Sequence, residues 1–246
     1  ANDGRGARLS IDGLWIAGGR LVLCGDFDTV TLRTATLDPG EPNQNFNDFA
    51  VAADGRVLEP CTLLIEGRVG QLRADRCILG PIRFAAGGAV DMVALTDCII
   101  QEPRGGLALE FETGRVELRR CSVLGGLQVH QLDASECILH RVATVSNVQQ
   151  GCVRFCSYAT GSVLPRRYES VQLSNGAALF TSLRFSQPGF AQLASNAPTT
   201  VSAGAPDGSE MGAFCREKNA VKERSLLIKY GQYMPIGLTP VIVYAT

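Results

Sequence analysis

Leu72-Arg73-Ala74-Asp75-Arg76-Cys77-Ile78-Leu79 returns as Val93-Ala94-Leu95-Thr96-Asp97-Cys98-Ile99-Ile100, as Val116-Glu117-Leu118-Arg119-Arg120-Cys121-Ser122-Val123 and as Leu132-Asp133-Ala134-Ser135-Glu136-Cys137-Ile138-Leu139. Each copy reads apolar, polar, apolar, two polar residues, Cys and then apolar residues. Cys77, Cys98, Cys121 and Cys137 stand 21, 23 and 16 positions apart. Periods of this size mark a solenoid, because one repeat is too thin to bury its own apolar face and must stack on its neighbours. The head of each copy alternates with the strand period, so Val116, Leu118 and Cys121 are expected to face inward and Glu117 and Arg119 outward. The two polar residues before each Cys break the alternation, as a bend between two short strands does. No helical stripe runs between Val69 and Tyr158, and the Leu-x-x-Leu-x-Leu-x-x-Asn phrase of leucine-rich repeats is absent. The expected fold class is all-β, a right-handed parallel β-helix. Its handedness follows from the chirality of parallel crossovers, and its coils should lie roughly 4.8 Å apart.

The same architecture extends toward the N-terminus through Leu9–Ile16, Leu21–Phe27 and Val30–Leu37, with Ala35 where Cys stands in later copies. Ala35 and Cys77 are 42 positions apart, twice 21, so one further coil is expected between them, carrying an inserted loop over 38–58. The regular coils then span 9–158, and further strands follow over 159–205, among them Leu179–Phe185 and Phe190–Leu193. A C-terminal α-helix and strand in 206–246 should act as a cap on the open end of the stack, since an uncovered edge templates pairing with other chains. Asp207-Gly208-Ser209-Glu210 offers a helix N-terminal pattern. Val221, Leu226, Leu227 and Tyr230 form a partial apolar stripe, and Leu238–Tyr244 is the expected closing strand. The whole chain, 1–246, is expected to be a single domain.

Composition narrows the classes of function. A formal net charge of −1 with scattered Lys and Arg leaves no nucleic-acid footprint. No apolar run approaches the length of a membrane span. The first residues, Ala1-Asn2-Asp3-Gly4-Arg5, lack Met and a signal peptide, and the expectation is a fragment of a longer chain. Nine cysteines, an odd count with no Cys-x-x-Cys, argue against a fully paired disulfide framework. Cys77, Cys98, Cys121 and Cys137 recur in register, so they are expected to stack as a buried ladder of reduced thiols. That usage suits a reducing compartment or a well-shielded core, and the expected place is a cytoplasmic or particle-associated bacterial assembly.

Candidate chemistry is sparse, and each candidate has a plainer reading beside it. Asp48 and Asp54 in the inserted loop lack calcium-loop spacing and suit a solvated loop. Glu110 and Glu112 share one outer strand face, which suits a solvated face better than an acid–base pair. His130 and His140 have no metal-ligand spacing and are expected as exposed or hydrogen-bonded surface residues. Arg166, Arg167 and Tyr168 form a basic-aromatic corner able to grip a phosphate or carboxylate, or to hold local loops. No catalytic, cofactor-binding or metal-binding set is assigned, and no cofactor is expected.

Gly151-Cys152-Val153-Arg154-Phe155, Pro165-Arg166-Arg167-Tyr168, Phe180–Phe185, Asp207–Phe214 and Ile242–Thr246 resemble the C-terminal region of large bacterial proteins associated with gene clusters for phage-tail-like contractile particles. The resemblance implies a non-enzymatic structural or surface module whose partners are other parts of its own longer chain or assembly proteins. It brings no catalytic residues. The chain departs from that pattern at Cys156 and over Lys218–Val221. The competing class is a carbohydrate-binding or polysaccharide-cleaving β-helix, with a glycan as partner. The Asp-Asp, Asn-Thr-Asp, Gly-His-Gly and Trp-x-Asp-His phrases of such enzymes are absent.

Overall fold

The computed structural model describes residues 6–42 and 49–239. The chain passes repeatedly through three parallel sheets in the same order. The first pass lays down β1 (Ala7–Asp12), β2 (Trp15–Ile16) and β3 (Arg20–Leu23), and the second β4 (Asp26–Arg33), β5 (Thr36–Leu37) and β6 (Thr62–Ile65). The third holds β7 (Arg68–Asp75), β8 (Ile78–Leu79) and β9 (Ile82–Phe84), and the fourth β10 (Ala89–Thr96), β11 (Ile99–Gln101) and β12 (Leu107–Glu110). The fifth holds β13 (Arg115–Arg119), β14 (Ser122–Leu124) and β15 (Gly126–Val129), and the sixth β16 (Gln131–Ser135), β17 (Ile138–Leu139) and β18 (Ala143–Val145). The last two contribute β19 (Gly151–Arg154) with β20 (Ser157–Ala159), then β21 (Arg166–Tyr168) with β22 (Val171–Leu173). First strands form the eight-stranded sheet A, second strands the eight-stranded sheet B, and third strands the six-stranded sheet C. The result is a mostly β, solenoid-like stack.

Register explains the repeated phrase. Val30, Leu72, Val93, Val116 and Leu132 are partners in sequence across sheet A, as are Leu32, Ala74, Leu95, Leu118 and Ala134. All are buried, and they join Leu79, Ile100 and Leu139 of sheet B and Leu63, Ile82 and Leu109 of sheet C in one core. Each fully buried Leu or Ile contributes roughly 2 kcal/mol. Glu117 and Arg119 face outward on sheet A, where Arg115 reaches Glu117 at 3.1 Å and Asp133 at 3.0 Å.

The bend between sheets A and B is a left-handed residue. Thr34, Arg76, Asp97, Arg120, Glu136 and Phe155 all have φ between 44° and 58°. For a non-glycine residue that conformation costs roughly 1 kcal/mol. Hydrogen bonds along the stack offset it: Asp97 donates its amide to Arg119 O at 2.9 Å, and Arg76 to Thr96 O at 3.0 Å. Next to each bend the thiol turns back, as when Cys98 Sγ donates to Thr96 O at 3.1 Å. Cys77, Cys98, Cys121 and Cys137 are buried and free, and Cys156 extends their column. The amide of Cys121 meets Cys137 Sγ at 3.4 Å, and that of Cys137 meets Cys156 Sγ at 3.3 Å. Burial pushes the Cys98, Cys121 and Cys137 thiols well above their ordinary range.

Three expectations need correction. No coil lies between Ala35 and Cys77: β4 pairs directly with β7, and β5 with β8. The 42-residue interval is a single pass with its excursion inserted between β5 and β6. Leu179–Phe185 and Phe190–Leu193 form isolated bridges, Phe180 with Leu193 and Ser182 with Phe190, rather than strands. Their side chains instead cover the outer face of sheet B, where Ile78, Ile99 and Leu124 pack with Leu183, Phe185 and Phe190, and Ile138 packs with Leu179, Val201 and Met211.

The third correction concerns the C-terminal helix. Asp207 and Ser209 form a local turn, with Ser209 N donating to Asp207 Oδ1 at 3.1 Å, and no helix starts there. A short helix, α1 (Thr199–Ser202), comes earlier, and α2 (Asn219–Tyr233) later. α2 buries no residue, and Leu227 and Tyr230 are 45% and 42% exposed. Its apolar stripe is too thin to seat on the stack. The segment before it seats instead: Arg216 reaches Asp97 at 3.1 Å, Gly212 N donates to Glu136 O at 2.8 Å and Ala213 N to Ser122 Oγ at 3.1 Å. The expected closing strand, Leu238–Tyr244, lies mostly outside the described residues. No helix among the described residues is long and apolar enough to cross a membrane.

Candidate functional site

The passes differ most where they turn from sheet B into sheet C. The fifth pass turns tightly through Gly125. A Cβ there would stand 2.8 Å from Ala108 Cβ and 3.1 Å from Glu102 Cβ, so only glycine fits. The fourth pass takes a longer route through Glu102-Pro103-Arg104-Gly105-Gly106. That turn is closed by Gly105 N on Glu102 O at 3.1 Å and by Arg104 N on Glu102 Oε1 at 3.1 Å. The sixth pass bulges through His140 and Arg141. A recess is left over the short fifth corner, with Leu124 at its base and Leu183 of the covering segment beside it. Its volume is about 240 Å³. A second hollow of about 290 Å³ continues along the corner past Gln128, Thr144 and Asn175, sharing Gly105 and Arg141 with the first.

Gln101 and His140 are the buried polar residues of this recess, 4% and 6% exposed. Gln101 is the last residue of β11, paired with Leu124 of β14. Its Nε2 donates to Leu183 O at 2.6 Å, which sets the amide's orientation, and its Oε1 is buried with no hydrogen-bond partner among the described residues. His140 lies edge-on to Phe180, ring centroids 5.2 Å apart, and its Nε2 meets Ala177 O at 2.9 Å. A carbonyl only accepts, so Nε2 carries the proton and Nδ1 is left as an acceptor. Burial lowers the His140 pKa, and the neighbouring Arg141 charge adds to this, so the ring is neutral at pH 7.

The charged residues around the recess differ in how they are engaged. Glu102 is held by Arg83 Nη2 at 3.6 Å besides the Arg104 amide. Arg104 stacks its guanidinium 4.4 Å from the centroid of Phe49, which ties the inserted excursion to this corner. Arg141 lies against Gly176 and makes no ion pair among the described residues.

The residues singled out from sequence do not converge. Asp48 lies outside the described residues, and Asp54 pairs with Arg56 at 2.7 Å in the open. Glu110 faces Arg83 at 3.9 Å, while Glu112 is exposed. His130 bonds Ser146 Oγ at 3.0 Å on the next pass. His140 is not a surface residue; residues 177–180, far along the chain, bury it. Arg167 donates to Tyr158 Oη at 3.0 Å and lies over its ring, and Tyr168 packs edge-on against Phe155, so that corner braces the end of the stack. Among the described residues no cluster of His, Cys, Asp and Glu is arranged to hold a metal ion. Gln101 and Arg141 were missed. The signal for them was the short interval of 16 between Cys121 and Cys137, which forces the tight corner at Gly125. Comparison with family models, with curated proteins and with solved structures finds no match.

Proposed function

We propose that the three sheets are the faces of one right-handed parallel β-helix, and that this β-helix is a non-enzymatic structural module of a larger bacterial or phage-tail-like assembly. The observation that carries the reading is the first pass. β1, β2 and β3 are each the last strand of their sheet, with no partner on the outer side among the described residues. Trp15, the first residue of β2, and Leu14 just before it are 68% and 50% exposed. Three aligned, unpaired edges with apolar side chains at their rim form a template for further strands. The occupant is a strand-bearing segment of the assembly, from its own longer chain or from an assembly protein. Sedimentation velocity over a concentration series tests it. With that occupant absent from the sample, the open edges should pair with one another and the chain self-associate end on, and Leu14→Asp with Trp15→Asp should return it to monomer. A chain that stays monomeric throughout removes the support.

A second reading, a carbohydrate-binding or polysaccharide-cleaving β-helix, is favoured by the groove that runs from the Gln101 recess past Gln128, Thr144 and Asn175. Binding on a glycan array that is lost on Gln128→Ala and Asn175→Ala supports it. Binding that ignores those changes does not.

A further inference from the structure

The recess over the fifth corner joins three chemistries that are unmatched or only partly matched within the protein. Two acceptors, Gln101 Oε1 and His140 Nδ1, have no protein donor among the described residues. Gln101 Oε1 is the buried one of the two, and a buried acceptor left unmade costs about 1–3 kcal/mol, which a ligand donor at this position recovers. The Glu102 carboxylate borders the same space, held loosely by Arg83 at 3.6 Å. Arg141, also in the lining, brings a cation with no carboxylate partner among the described residues. Pro103, Leu124 and Leu183 supply apolar wall between them.

We propose that this recess binds a free α-amino acid with an apolar side chain. The ammonium group is the donor that Gln101 Oε1, His140 Nδ1 and Glu102 call for, the carboxylate pairs with Arg141, and the side chain packs against Leu124 and Leu183. A simple anion satisfies Arg141 but leaves both acceptors empty and faces Glu102. A simple amine satisfies the acceptors but leaves Arg141 bare. Only a ligand that carries both charged groups on one carbon answers the whole lining, and a cavity of about 240 Å³ holds one of leucine or phenylalanine size. This inference stands apart from the assembly reading, since neither Leu14 nor Trp15 takes part.

Isothermal titration of the full chain with L-leucine and L-phenylalanine, beside 3-phenylpropionate and phenethylamine, tests it. Saturable binding of an amino acid is expected, with each truncated analogue at least about tenfold weaker, as the loss of one charge-assisted hydrogen bond implies. Arg141→Gln, at a partly exposed position, should weaken the amino acid by a similar factor, and Arg141→Lys should restore part of it. Gln101→Leu should weaken binding of the amino acid and of phenethylamine while leaving 3-phenylpropionate unchanged. Absence of saturable binding by both amino acids overturns the proposal. So does equal binding of the truncated analogues, or indifference to Arg141→Gln in a protein whose circular dichroism is unchanged.

Discussion

Ile78 donates its amide to the carbonyl of Ala35 at 3.1 Å, directly across the step from the second pass to the third, although the long excursion separates them in the chain. The excursion leaves and rejoins at one place. Glu41 N reaches Leu58 O at 3.1 Å, and Cys61 N reaches Asp38 O at 2.7 Å. Replacing residues 42–57 by an Asn-Gly turn should therefore leave the stack folded, with stability within about 2 kcal/mol of the parent, because the ends are already held together and, among the described residues of the segment, Pro42 and Phe49 alone are buried. Urea denaturation measures it. Loss of cooperative unfolding would mean that the excursion is part of the core.

Thiol accessibility should divide the cysteines sharply. Cys24 is exposed, whereas Cys77, Cys98, Cys121, Cys137 and Cys156 are buried. Mass-spectrometric mapping at pH 8 should find Cys24 alkylated first in the native protein and the column alkylated only in denaturant. Cys98→Ser should cost about 1 kcal/mol, a modest amount for a buried hydroxyl, because the new group still has Thr96 O to donate to.

Asp97 is almost wholly buried at its bend and is shared by Arg120 and Arg216. Asn tolerates the left-handed conformation equally well, so Asp97→Asn removes the charge without straining the backbone. It should destabilise by about 2 kcal/mol. Arg216→Ala, at a side chain 65% exposed, should cost about 0.5 kcal/mol or less.

Glu210 carries the clearest pH dependence. It is buried beside Asn219, whose Nδ2 lies 3.4 Å away, and Glu217 adds a like charge nearby. Burial is the main cause that pushes its carboxyl from 4.5 up to about 7. The folded state therefore holds a proton that the unfolded state has released. The stability this group contributes is fully present below about pH 4.5 and is lost as pH rises through about 7. Glu210→Gln should raise stability at pH 8 by on the order of 2 kcal/mol and change little at pH 4. Thermal melts of both proteins across that range decide it; a parallel offset at every pH would point to packing instead of titration.

The sequence showed most where the chain repeats itself. Cys77, Cys98, Cys121 and Cys137 mark one position in successive passes, and the polar pair before each marks a bend that must take positive φ. It misled at Ala35 and Cys77, where an excursion happened to make the interval twice the common one. Ile99-Ile100 and Ile138-Leu139, apolar on both faces, were the signs that sheet B is covered outside as well as in. What covers it was hidden, because Leu183 and Phe190 make their contacts far from their own place in the chain. The environments of His140 and Gln101 depend on those same distant segments, so neither the burial of the one nor the orphaned oxygen of the other had a local signature.

The covering segment has a consequence for how such a chain can change. Tandem arrays ordinarily grow and shrink by whole units, since each unit meets only its neighbours. Here residues 179–214 touch Ile78, Ile99, Leu124 and Ile138, one from each of four successive passes. Insertion or loss of one unit in that span would slide every later isoleucine or leucine out from under its partner. The segment is in effect a splint cut to one length, and it ties the number of repeats to a stretch of chain that contains none.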